Sequence, residues 1–149
     1  MRGWQIVRGV IVEGHRVASA PSQAYPYGAL EKQKPYFEAL GLNLERFYLG
    51  TLNISIAPLK FEMVRPKYTF PLVEWTDLHP PETFSFSPCK IRFKGREYEG
   101  MVYYPHPETK IRHFQNPSLV EALAEFIEGI RYGARVELLL DPRQVRVRK

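Results

Sequence analysis

A small, mainly β barrel, closed or nearly closed and carrying two short helices, is the fold class that the sequence predicts. Three observations lead there. Period-two apolar alternation recurs along much of the 149-residue chain, the mark of half-buried strands. Eight of the 13 prolines lie between Pro58 and Pro107, where they would interrupt any long helix. Helical periodicity is confined to two windows, and an order of strands, helix, many strands, helix and strand suits a curled sheet with helices packed on it. The length fits one domain over 1–149, enough to bury a core without disulfide or metal staples.

The elements follow in chain order. Residues 4–13, WQIVRGVIVE, are rich in Val and Ile and broken by Gly9, which predicts a bent strand or two short strands joined by a bulge. Residues 21–28, PSQAYPYG, combine turn formers with tyrosines and form a loop. Tyr36, Phe37 and Leu40 have helical spacing, with Pro35 in a first turn and Gly41 as a stop, so a helix is expected at 34–40. In YLGTLNISIA, residues 48–57, Leu52, Ile54 and Ile56 alternate with Thr51, Asn53 and Ser55. One strand face is therefore apolar and the other carries hydroxyl and amide groups. Strands are also expected at 68–75 and 84–93, with Pro71 and Pro88 at edges or bulges. The turn at 94–97, KGRE, then makes a hairpin into 98–105. Asn116-Pro117 reads as a cap and first helical position, and Leu119, Val120, Leu123, Phe126 and Ile127 then predict a helix over 117–128. A strand at 135–140 and a basic alternating end complete the chain.

Composition excludes several function classes. A chain that is 44% hydrophobic and 25% charged is neither disordered nor fibrous. Cys89 stands alone, so it forms no internal disulfide and no thiolate metal cluster, and His15, His79, His106 and His113 lack the spacing of a zinc site. No charged start leads into an apolar run, and no stretch reaches the roughly 18 apolar residues of a membrane span. The expectation is a soluble, cytoplasmic protein with no membrane association. Residues 141–149 hold Arg143, Arg146, Arg148 and Lys149 against Asp141, which accounts for +3 of the +5 net charge. The body is nearly neutral, so a nucleic-acid partner is not expected. The tail alternation, with Gln144, Arg146 and Arg148 on one face and Val145 and Val147 on the other, suits an edge strand whose charges deter pairing with another chain.

With these elements in place, the segment FEALGLNLERFYLGTLNISI, residues 37–56, resembles the helix, Leu-Gly, spacer and Gly-Thr-Leu-Asn strand of the archaeal-type CTP-dependent riboflavin kinases. The resemblance extends in order and spacing over nearly the whole chain, through the Gly hairpin, Pro105, and a helix leading to Gly133 and Val136. It implies a cradle-loop barrel that transfers the terminal phosphate of CTP to riboflavin, giving FMN. It also implies that Thr51 and Asn53 hold Mg²⁺. Residues two apart on a strand share a face, and Mg²⁺ takes oxygen ligands while sharing substrate phosphates, so metal and nucleotide are expected to bind together.

The family's Gly-x-Gly-Glu-Gly loop corresponds here to residues 12–20, where Gly14 is the one glycine kept. The expectation is that Gly14 supplies the turn and that His15 or Arg16 supplies the phosphate contact. Glu13 is a candidate base for phosphoryl transfer. Tyr25, Tyr27 and Tyr36 either stack on a flavin ring or cover the core, and His113 and Glu121 fall on the flavin side of the family's site. Residues 65–83 have no counterpart in the family. Two alternatives stand beside the kinase: a non-catalytic barrel binding a flavin, nucleotide or other small ligand, and a module for nucleic-acid or protein partners.

Overall fold

The computed structural model describes residues 3–13, 29–78, 80–109 and 116–149. Among these residues nine strands and one α-helix run in the order β1 (Gln5–Val12), α1 (Ala29–Ala39), β2 (Leu52–Ser55), β3 (Lys60–Met63), β4 (Tyr68–Val73), β5 (Glu82–Phe93), β6 (Arg96–Pro105), β7 (Leu119–Ala124), β8 (Arg135–Leu140) and β9 (Val145–Arg148), with a short 3-10 turn at Pro107–Thr109. The neighbours β5-β6-β7-β2-β1-β8 are antiparallel throughout, and β8 returns to β5, so six strands close a barrel. The predicted mainly β barrel is the fold.

Strand β5 makes closure possible by changing partner along its length. Its first half pairs with β4 as far as Phe86, and its second half pairs with β8 from Cys89 onward. Pro88 sits at that changeover, where a residue without an N–H leaves no ladder bond unmade on the side that switches. Pro71 lies in β4 beside a register shift between Phe70 and Val73, as expected of an edge strand.

Two apolar cores result. The barrel interior gathers Val7, Ile11, Ile54, Ile56, Ile91, Val102, Val120, Leu138 and Leu140. A second core lies on the outer barrel face, where α1 covers Phe84, Phe86, Met101, Tyr103 and Leu123 with Leu30 and Phe37. Phe37 stands edge-on to both Phe84 and Phe86, ring centroids 4.9 Å apart in each case, the arrangement aromatic quadrupoles favour. The described residues of 65–83 build β4 and part of the cover of this second core: Trp75 is buried, and its Nε1–H donates to Glu82 Oε2 at 2.8 Å.

Three expectations need correction. The helix expected over 117–128 is β7. Its helical appearance came from a strand buried on both faces, with Val120, Ala122 and Ala124 in the barrel and Leu123 under α1; such a strand shows no clean alternation. Asn116 does cap, but it caps a turn, accepting from Ser118 N–H at 2.9 Å. The helix expected at 34–40 runs Ala29–Ala39, with Pro35 inside it and Ala29, Leu30, Gln33 and Phe37 buried. Tyr36 and Leu40 are exposed, so the buried face of α1 is narrower than their spacing with Phe37 suggests. Gly9 makes no bulge either. The β1–β8 register is unbroken from Gln5 to Val10, and a Cβ at Gly9 would fall into the Ile54 side chain.

The basic end is β9, paired with β3, a strand not foreseen. Val145 and Val147 are buried, whereas Arg146 and Arg148 are exposed. With Phe61, Val145 and Val147 join the barrel core, so the β3–β9 ribbon plugs one end of the barrel. The ribbon follows the C-terminal ends of β2 and β8. Among the described residues no strand covers the opposite end, where β1 and β7 finish and β2 and β8 begin.

Candidate functional site

At that end lies a groove of about 490 Å³. Its walls are Ile11 and Val12 from the end of β1, residues 48–53 leading into β2, and residues 124–127 with Gly129, Ile130 and Tyr132 after β7. Backbone bonds hold these segments: Tyr48 N–H donates to the Ala124 carbonyl at 2.9 Å, and Gly133 N–H donates to the Ile11 carbonyl at 2.7 Å. The groove is therefore built on strand ends that the barrel ladder fixes.

Thr51 and Asn53 both line this groove and are half-buried. Ile54 lies in the barrel core and half-buried Leu52 packs against it while also reaching the groove. Asn53 is flanked in register by Val12 on β1 and Glu121 on β7. Its Oδ1 is buried and has no hydrogen-bond partner among the described residues. A buried acceptor left unmade costs about 1–3 kcal/mol.

Glu121 was expected on a helix and stands instead on a strand, level with Asn53. Its carboxylate and that of Glu82 act on Tyr103, whose phenol is pushed well above its ordinary value first by burial and then by these charges. Tyr103 donates to Gln33 Oε1 at 2.7 Å. Glu13, directly after β1, is exposed and is not among the groove's lining residues. Gly14, His15, Arg16, Tyr25, Tyr27 and His113 lie outside the described residues. Tyr36 faces elsewhere, into a shallow depression with Lys32, Trp75 and Asp77.

Several lining residues were not foreseen. Tyr48 and Phe126 are 61% and 67% exposed, their rings 5.8 Å apart at the groove mouth, and Tyr132 is exposed beside them. The spacing of Phe126 in the sequence suits an apolar helix face, and two aromatics 78 residues apart carry no sequence signal of proximity. Glu125 also lines the groove. Its Oε1 accepts from Glu99 N–H at 2.9 Å and its Oε2 from Arg46 Nη2 at 3.3 Å.

A second polar cluster lies away from the groove. Thr69 Oγ1 and Ser85 Oγ are 2.8 Å apart, Ser85 Oγ is 2.6 Å from His106 Nε2, and His106 Nδ1 is 2.9 Å from Glu108 Oε2. The order imitates a serine nucleophile with its base and orienting acid. Ser85 is fully buried, however, so the cluster fastens β4, β5 and the turn after β6 together and offers no substrate access. Among the described residues no three His, Cys, Asp or Glu side chains converge as a metal site, and no helix is long and apolar enough to cross a membrane.

A scan against protein-family models and a search of curated proteins both find no match to this chain.

Proposed function

We propose that this chain is a riboflavin kinase-like barrel of the cradle-loop type, in which the groove takes CTP with Mg²⁺ and the terminal phosphate passes to riboflavin. The observation that carries the reading is the unpartnered, buried Asn53 Oδ1 beside Thr51 on the groove wall. A ligand or cation there would remove the cost of that acceptor. The donor set suits Mg²⁺, a hard ion that keeps few protein ligands and shares phosphate oxygens. Thr51 and Asn53 would hold it, and when bound it would neutralise charge on the phosphate oxygens.

The remaining work falls to the chain's own groups. The riboflavin hydroxyl oxygen forms the new P–O bond, the bond to the leaving β-phosphate oxygen breaks, and the products are FMN and CDP. The hydroxyl proton needs an acceptor. Glu121 is level with Asn53 on the neighbouring strand and Glu13 is the alternative, neither of them lining the groove in the unliganded chain. Catalysis of this kind depends mostly on positioning and charge stabilisation, which strand ends tied by backbone bonds supply. The exposed faces of Tyr48 and Phe126 suit stacking against a planar ring. In the same proposal Gly14, His15 and Arg16 contact phosphate, and Tyr25, Tyr27 and His113 contact flavin. A cytoplasmic setting accords with a sole cysteine that is buried.

One observation favours a second reading, a barrel that binds a flavin or another small planar ligand without catalysis. The groove's described lining residues include no lysine or arginine, which suits a neutral ligand better than a triphosphate. Calorimetric titration with riboflavin, CTP and ATP, each with and without Mg²⁺, separates the two. The kinase reading predicts CTP binding that requires Mg²⁺. Riboflavin binding with no nucleotide binding would select the second reading, and binding of neither would turn attention to macromolecular partners.

A further inference from the structure

A triphosphate entering a groove whose described walls carry no cation needs one from its edge, and the Arg46 guanidinium stands beside the lining residue Glu125. Arg46 lies in the segment leading into β2, two residues before Tyr48, and its Nη2 is 3.3 Å from Oε2 of the groove residue Glu125. The Arg46 side chain is 56% exposed. A long, solvent-open ion pair belongs to the weakest class, and the other contact of the guanidinium, 5.9 Å from the Phe47 ring centroid, comes from the neighbouring residue and can move with it. Glu125 does not depend on it for its position, because its Oε1 accepts from Glu99 N–H at 2.9 Å and its own N–H donates to the Glu99 carbonyl at 3.1 Å. Arg46 can therefore leave while Glu125 stays. A phosphate group offers it two charge-assisted bonds in the fork geometry that guanidinium matches best.

We propose that Arg46 is the anion-recruiting residue of this groove, exchanging Glu125 for a phosphate of the incoming nucleotide. Glu125 then acts as a resident anion that holds Arg46 at the groove edge and competes with the ligand for it. The proposal rests on the nucleotide reading above and adds a residue to which neither the resemblance nor the spacing of the sequence points.

Competition gives the two partners opposite effects. Arg46→Ala removes the cation, whereas Glu125→Gln removes the competitor and a like charge while keeping an oxygen for Glu99 N–H. A merely structural ion pair would give both variants effects of one sign. The test is titration of CTP and of cytidine, both with Mg²⁺, into the wild type, Arg46→Ala, Arg46→Lys and Glu125→Gln, with thermal unfolding as the folding control. CTP affinity is expected to fall on the order of tenfold in Arg46→Ala, to fall less in Arg46→Lys, and to rise in Glu125→Gln, with cytidine unchanged in all. Equal CTP affinity in the wild type and Arg46→Ala overturns the proposal and leaves the groove reading standing. Failure of the wild type to bind either ligand removes the nucleotide reading, and this proposal with it.

Discussion

Asn53 keeps a buried carbonyl oxygen without a partner, and a residue retained at that cost should be dispensable for stability while mattering for binding. Asn53→Ala is therefore expected to leave the unliganded protein as stable as the wild type, or more stable by about 1 kcal/mol. Chemical denaturation measures this, and a clear loss would mean that the amide has a structural role. Cys89 makes the opposite case. It is buried in the barrel, and burial, with a smaller contribution from Glu99, pushes its thiol from 9.0 up to about 12. The folded chain therefore holds this proton where the unfolded chain releases it, and stability should decline as pH rises from about 9 toward 12. Denaturation midpoints across that window should fall less steeply in Cys89→Ala than in the wild type. At this scale the sequence was legible where alternation alone decides, as for Thr51 and Asn53. It was silent on Arg46, Glu125 and Phe126, whose meeting depends on how distant segments return to one barrel end.

Among the elements, β7 shows where sequence periodicity fails and why. A strand packed on both faces has no polar side, and Leu119, Val120 and Leu123 then imitate a helical stripe. The same tight packing leaves no room at Gly100, which pairs with Ala124 across the β6–β7 ladder. A Cβ there would come 2.8 Å from the Leu123 carbonyl oxygen and 3.1 Å from Cys89 Sγ. Gly100→Ala should cost about 1–3 kcal/mol, the usual range for overpacking, read as a lower denaturation midpoint; an unchanged midpoint would show that β6 and β7 can separate freely. The hairpin between β5 and β6 was the most legible element. Lys94 and Gly95 both take positive φ, 51° and 77°, the geometry of the two-residue turns whose twist matches antiparallel strands. By contrast β3 is four residues long and acquires its place only by pairing with β9, with partners such as Lys60 and Arg148 or Met63 and Val145 far apart in the chain, so no local pattern announces it.

Over the whole molecule the barrel has two unlike ends, one plugged by the β3–β9 ribbon and one carrying the groove. The basic tail illustrates how a surface feature and a core feature share one strand. Its charges protect an edge, as the alternation suggested, but Val145 and Val147 complete the core. Arg146→Gln with Arg148→Gln should leave stability within about 0.5 kcal/mol, whereas Val145→Ala should cost about 2 kcal/mol from lost burial and the cavity left behind. Thermal unfolding of the two variants checks this, and equal effects would place the ribbon outside the core. Fold class was legible because closure needs only many alternating strands. The groove was legible in part, because its polar face lies in one segment while its aromatic and charged walls come from three.

The central claim is that the groove end of the barrel holds a nucleotide through Thr51, Asn53 and Mg²⁺. Calorimetric titration of CTP into the wild type and Asn53→Ala, with and without Mg²⁺, tests it most directly. The account predicts tight binding for the wild type with Mg²⁺, weak binding without it, and no response to Mg²⁺ in Asn53→Ala. CTP affinity that is the same in both proteins and indifferent to Mg²⁺ would contradict it.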